Sequence, residues 1–181
     1  LDQELYPAWI IVGLQRTGTT KLQRLLAEDP DHRVIPSWEV INPVPIELRR
    51  YRMEEHGAPS ANCVYPHPND KRLAIAKTSI RALKFMSPGF FAIHPINAIL
   101  PEEDILLLDI SFMSTTPEAM VHLPEYGAWL ESVDQSEAYR YAVKLLKFLQ
   151  WMKPAKRWIL KSPHHLEFPD LIGNHFGKVH Y

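Results

Sequence analysis

The sequence predicts a three-layer α/β fold built on a parallel central sheet. Three observations carry that expectation. Strand-like and helix-like patterns alternate along the chain. The first strand pattern runs through a glycine-bounded loop straight into a helix, and no internal repeat, low-complexity tract or linker divides the 181 residues. In such folds the ligand sits at the carboxyl ends of the strands.

The elements follow in order. Residues 9–12 form an apolar run of strand length that ends at Gly13. A helix is expected over about 19–28, with Leu22, Leu25 and Leu26 on one face, and Asp29-Pro30 ends it because the residue before proline is pushed out of the helical region. Val34-Ile35 reads as a short strand, 45–55 as a helix of mixed polarity, and 57–69 as loop from its Gly, Pro and Asn content. Asp70 is placed to cap a helix reaching about Ser87, with Leu73, Ala76, Ile80 and Leu83 at helical spacing. Pro101 reads as a first helical residue, which makes Glu102, Glu103 and Asp104 charges of a helix start. Two short helices are expected at 118–123 and 125–131. The clearest helix spans 134–152, opened by Asp134-x-x-Glu137 and carrying Ala138, Tyr141, Ala142, Leu145, Leu149 and Met152 on its apolar side. A strand at 157–160, a helix at 166–175 and a strand from Lys178 close the pattern.

The loop I-I-V-G-L-Q-R-T-G-T-T, residues 10–20, is the most informative stretch. Gly13 and Gly18 have the separation of the G-x-x-x-x-G-K-[ST] phosphate loop, where backbone N–H groups and a helix N-terminus face an anion. Thr19 stands where that loop has lysine, Thr20 follows, and Arg16 brings a cation into the loop itself. Triphosphate enzymes place the lysine on the β- and γ-phosphates and the next hydroxyl on Mg²⁺. A loop with arginine and no lysine suits a ligand with one phosphate-like group, such as a sulfuryl nucleotide.

G-L-Q-R-T-G-T-T, with Asp29-Pro30 and Ser37-Trp38-Glu39 downstream, resembles the 5′-phosphosulfate loop of sulfotransferases that use 3′-phosphoadenosine 5′-phosphosulfate (PAPS). The arginine in the loop is closer to the tyrosylprotein type and to a broad, mainly bacterial sulfotransferase-like group than to the cytosolic steroid and phenol enzymes. His94-Pro95, Pro101 to Asp104, Tyr126 to Leu130 and Trp158 to Pro163 also resemble that group, so the similarity covers nearly the whole chain. Gln15 departs from it, standing where such proteins usually have proline.

The resemblance implies the sulfotransferase variant of the P-loop fold and transfer of sulfonate from PAPS, without a metal, to a hydroxyl. The acceptor is left open among small molecules, carbohydrates, lipids and peptides. It implies donor binding by Arg16, Thr17, Gly18, Thr19 and Thr20, with Ser162 as a further nucleotide contact. Arg16 would bridge 5′-phosphate and sulfonate, Glu39 would take the acceptor's proton, and Lys161, ending a strand in L-K-S-P, would stabilise the leaving oxygen. Each has a plain alternative: a ligand-free turn, a surface carboxylate, a solvated strand-end lysine. His94 is an alternative base, and His164-His165 are expected beside the acceptor. The basic stripe Arg140, Lys144, Lys147 reads as a solvated face, and Trp151 and Trp158 as core. Two rival functions remain: a kinase-like protein binding ATP and Mg²⁺, and a binding module that keeps the fold without turnover.

A net charge of −1 argues against a nucleic-acid partner, so an anionic ligand needs a local cluster of cations. The single cysteine, Cys63, excludes an internal disulfide framework and leans toward a cytoplasmic setting. No apolar run approaches the roughly 20 residues of a membrane span. We expect one domain over 1–181, incomplete at both ends, because Leu1 is not an initiator and the chain stops inside a strand pattern. The arginine and serine that hold the donor's 3′-phosphate in such enzymes would then lie past Tyr181.

Overall fold

The structure is a computed structural model that describes residues 3–45 and 70–180. Its centre is a four-stranded parallel sheet in the order β2-β3-β1-β4, with β1 at Ala8–Ile11, β2 at His32–Arg33, β3 at Arg157–Lys161 and β4 at Val179–His180. Register is set by Ala8 opposite Trp158 and Ile11 opposite Lys161, by His32 opposite Arg157, and by Ala8 opposite Val179. All connections are crossovers, which parallel pairing requires. β3 is fully inside from Trp158 to Lys161, the continuous burial of a strand covered on both faces. The alternation read from the sequence thus gives the expected parallel α/β sheet.

The helices are α1 Thr19–Leu26, α2 Ser37–Ile41, α3 Arg72–Met86, α4 Phe90–Ile93, α5 Ile105–Asp109, α6 Thr116–Met120, α7 Pro124–Ser132, α8 Ser136–Met152 and α9 Pro169–His175. A 3-10 turn at Pro163–Leu166 links β3 to α9. Prolines sit in the first turn of α6, α7 and α9, where the missing N–H costs nothing. The strand read at Val34-Ile35 lies two residues earlier, because Pro36 starts the turn into α2. Pro45 alone of the helix expected at 45–55 falls within the described residues, and the loop at 57–69 with Cys63 lies outside them.

The main core joins β1, β3, α5, α8 and α9 through Ala8, Ile10, Leu107, Leu146, Leu149, Trp158 and Ile172. Burying a side chain such as Leu146 contributes about 1.5–3 kcal/mol. α8 supplies the largest share: Ala138, Ala142, Leu145 and Leu149 are buried as its spacing predicts, joined by Tyr139, Val143 and Leu146, while Tyr141 turns outward. Asp134 Oδ1 accepts from the Ser136 N–H at 2.9 Å, so the expected start is present, but Glu137 pairs with Arg140 and does not reach back. Trp158 donates from Nε1 to Gln150 at 3.3 Å, and Gln150 also accepts from the Tyr6 N–H and donates to the Glu4 carbonyl. That side chain therefore fastens the N-terminal segment to α8 and β3.

Two expectations about faces need correcting. In α1, Leu22 and Leu25 are exposed and Gln23 is buried, its Nε2 donating 3.2 Å to the Glu102 carbonyl. The segment Pro101 to Asp104 is not a helical turn. Pro101 pairs with Pro36 in an antiparallel bridge, the Glu102 N–H donates to Ile35, the Asp104 N–H to Lys161, and α5 begins only at Ile105. Backbone bonding across the ends of the strands holds Pro101 and Glu102 out of the helix, so that only Asp104 takes helical dihedrals, as the residue that caps α5.

Candidate active site

The link from β1 to α1 makes a tight cradle. Gly18 takes φ +92° just before α1 and Arg16 takes φ +66°, a conformation uncommon outside glycine. A Cβ on Gly13 would sit 3.0 Å from the Thr19 methyl and 3.4 Å from the Thr17 hydroxyl, so glycine keeps that space open. Thr17 Oγ1 donates to the Leu14 carbonyl at 2.6 Å and braces the loop from within. α1 begins without a capping side chain, so its first N–H groups remain available to an incoming anion at the positive end of the helix. These features fit a phosphosulfate: a glycine-lined hollow, free N–H donors and one guanidinium.

The loop opens onto a cleft of about 940 Å³. Gly13, Arg16, Gly18, Thr19 and Thr20 line one end, and His94, Glu102 and Glu103 lie beside it. The remaining wall is mainly aliphatic and aromatic, from Ile80 and Leu83 of α3, Phe90 and Ile93 of α4, and Met120 of α6. Arg16 crosses the junction, its Nη1 donating 2.7 Å to the Ile93 carbonyl at the end of α4.

Each carboxylate of segment 102–104 has its own partner. Glu102 Oε1 receives His94 Nε2 at 3.0 Å and the Glu103 N–H at 3.0 Å, while Ser37 Oγ lies 3.3 Å from Oε2. Glu103 takes Lys161 Nζ. Asp104 holds the Lys161 N–H through Oδ1 at 2.9 Å and His165 Nε2 through Oδ2 at 2.7 Å. The hydrogen bond to Glu102 raises the pKa of His94 above 6.5, outweighing its partial burial. Burial works to raise the pKa of Glu102, and the bond and charge of His94 hold it below the ordinary carboxylate value. Asp104 is likewise held low by His165 and two backbone N–H groups against the effect of burial.

The residues read as functional divide. The loop residues Arg16, Gly18, Thr19 and Thr20 come together on the cleft with His94, and Thr17 braces them from behind. Lys161 is 3% exposed and meets the cleft only through Glu103. Ser162 is fully buried, its hydroxyl accepting from the His164 N–H at 3.2 Å. Glu39 does not line the cleft: α2 turns it inward to 4% exposure, and Arg33 Nη2 donates to its two oxygens at 3.0 and 2.8 Å. His164 and His165 are buried in the turn after β3 and do not line the cleft, bonded to Gln135 and to Asp104 and Tyr139. Burial and the neighbouring His165 push His164 down to about 4. Glu102 and Glu103, which in sequence read as helix-start charges, lie on the cleft; the available signal was a carboxylate eight residues after a histidine that adjoins a proline. Among the described residues no three His, Cys, Asp or Glu side chains group as a metal site, and no helix is long and apolar enough to cross a membrane.

Comparison with known proteins agrees with this architecture. Residues 7–181 match the sulfotransferase family. The crystal structure of sulfotransferase STF1 from Mycobacterium tuberculosis H37Rv superposes with a TM-score of 0.65 at 27% identity, over 98% of this chain and 44% of that one. Sulfotransferase STF9 from Mycobacterium avium shares the fold, with a TM-score of 0.68 at 23% identity, over 98% of this chain and 42% of that one. The chain thus spans less than half the length of either protein. No curated protein matches it.

Proposed function

Because this chain belongs to the sulfotransferase family, we propose that it transfers a sulfonate group from PAPS to a hydroxyl of an acceptor held in the cleft. The observation that carries this reading is the loop from Gly13 to Thr20, which presents N–H donors and Arg16 to a cleft whose far wall is mainly apolar. An arginine fork at that place holds two oxygen-bearing groups at once and steadies the charge that builds on the leaving phosphate. Lys161 lies one side chain behind the cleft, its Nζ neutralising Glu103. The aliphatic wall favours an acceptor that carries its hydroxyl on an apolar frame over a polyanion. The 181 residues are read as one domain, and their single cysteine supports a cytoplasmic setting.

The test uses the full-length protein, thermal shift with adenosine 3′,5′-bisphosphate or with ATP plus Mg²⁺, and a PAPS transfer assay on an alcohol panel. At about 100 times its dissociation constant the bisphosphate adds roughly 2.7 kcal/mol of stability. Arg16→Ala abolishes that shift. Stabilisation by ATP and Mg²⁺ alone would replace this reading with a kinase-like one, and bisphosphate binding without any transfer would leave a binding module.

A further inference from the structure

We propose that the tip formed by the end of α3 and by α4 is a docking surface for an anionic lipid bilayer, on which the protein lies without crossing it. Helix α3 is fastened mainly through its first half. Arg72 bonds Asp70 and the carbonyls of Asn42 and Pro43, and Ala76, with Leu73 and Ile80 beside it, packs with Trp38 and Ala98. From Lys77 to Met86 no residue of the helix is buried, and none is buried in α4.

The uncovered part carries one sign of charge. α3 holds Arg72, Lys77, Arg81 and Lys84 and no Asp or Glu, in a chain whose net charge is −1. Lys77, Arg81 and Lys84 fall at i, i+4 and i+7, one stripe of the helix, and none has an ion-pair partner among the described residues. The same tip is bare and apolar: Phe85 is 88% exposed, Met86 73% and Ile93 61%. One exposed apolar side chain is ordinary on a protein surface, whereas three within segment 85–93 set apolar anchors next to the cations.

That combination selects the partner. A bilayer with anionic headgroups satisfies both halves, its phosphates meeting the cations while Phe85 and Met86 enter the level below them. A nucleic-acid backbone would satisfy the cations and leave the apolar side chains in water. Two copies of this chain meeting symmetrically at the tip would set the same three cations against one another. The cleft lies on the same two helices, lined by Ser79, Ile80 and Leu83 of α3 and by Phe90 and Ile93 of α4. A docked protein therefore holds its apolar wall toward the source of acceptors that carry a hydroxyl on an apolar frame. Docking itself does not depend on the sulfonate-transfer reading, and its test uses no donor.

The size of the effect follows from the charges. Each Lys or Arg close to an anionic membrane strengthens binding about fivefold, so the three together contribute roughly 10²-fold. That attraction fades within the Debye length of about 8 Å at physiological salt, so added salt weakens it.

The experiment is sedimentation of the full-length protein with vesicles of phosphatidylcholine alone, or of phosphatidylcholine and phosphatidylglycerol in equal parts. Salt-sensitive binding to the mixed vesicles and none to the neutral ones is the expected result. Replacing Lys77, Arg81 and Lys84 together by Gln lowers that binding roughly 10²-fold, and Phe85→Ser lowers it about 10–10²-fold. All four side chains are exposed and none lines the cleft, so an unchanged melting temperature shows that each variant is folded. Phe85→Trp on vesicles with brominated acyl chains loses more fluorescence than wild type, because the tip enters the lipid. No binding to either vesicle, equal binding to both, or mixed-vesicle binding that survives unchanged in the triple variant or in F85S overturns the proposal. Shielding of F85W from acrylamide without vesicles overturns it as well, by showing the tip covered by another part of the full-length protein. Binding of duplex DNA and not of vesicles, lost in the triple variant, replaces the bilayer by a nucleic acid.

Discussion

Replacing Glu39 by alanine separates a structural carboxylate from a catalytic one. In the native state Arg33 donates from Nη2 to both Glu39 oxygens and from Nη1 to the Val34 carbonyl at 2.7 Å, and its guanidinium carbon lies 5.1 Å from the Trp158 ring centre. Arg33 is 2% exposed, so water cannot replace the lost carboxylate without opening the turn between β2 and α2. Removing one partner of a buried pair costs about 3–5 kcal/mol, a large fraction of the roughly 5–15 kcal/mol that holds a domain together. At about 2–4 °C per kcal/mol for a domain of this size, the melting temperature falls by roughly 6–20 °C. Calorimetry on wild type and E39A reads that shift directly. The double variant Arg33→Met with Glu39→Leu removes both charges and recovers most of the loss, because an apolar replacement of a buried pair is often neutral or better. An E39A protein that melts within about 2 °C of wild type and has nonetheless lost transfer would refute the structural account and return Glu39 to the chemistry.

Other consequences are open to measurement. Gly18→Ala meets no neighbour within 4 Å, so its cost is the strain of φ +92°, about 1–2 kcal/mol, visible as a lower urea midpoint at constant slope. Tyr139→Phe strips His165 Nδ1 of its buried partner at 2.9 Å and should lower stability by about 1–3 kcal/mol; a neutral result would mean that water takes the place of the hydroxyl. Leu146→Ala should cost about 2–5 kcal/mol, and a loss below that range would show that the core around α8 collapses onto the vacancy. His164 titrates at about 4 in the folded chain against 6.5 in the unfolded one, so the unfolded state takes up the proton first as pH falls. Its contribution is complete above pH 6.5 and is lost toward pH 4 at about 1.4 kcal/mol per unit, and His164→Gln should flatten that part of the stability curve. Asp104 has the depressed value of a paired carboxylate, so its contribution persists through that window and fails only at pH below the ordinary aspartate range.

Local chemistry made much of this protein legible from its sequence. The strand, the glycines and Arg16 between residues 10 and 20 specify a phosphate cradle because backbone conformation and helix polarity act over a few residues. The apolar spacing of α8 names its buried face for the same reason, and the alternation of patterns is enough to imply a parallel sheet. What tertiary structure decided was the use of the charged side chains. Glu39 and Glu102 are alike in sequence terms, each a carboxylate in a proline-bearing stretch beside a short strand or turn. The fold sends Glu39 inward to Arg33 and Glu102 to His94 at the cleft, although Pro36 and Pro101, close to each in sequence, pair in one bridge. The pairing of Lys161 with Glu103 and of His165 with Asp104 likewise joins residues 58 and 61 positions apart. A carboxylate's role depends on which cation the fold delivers to it, and that delivery is made by long-range packing that no local pattern encodes.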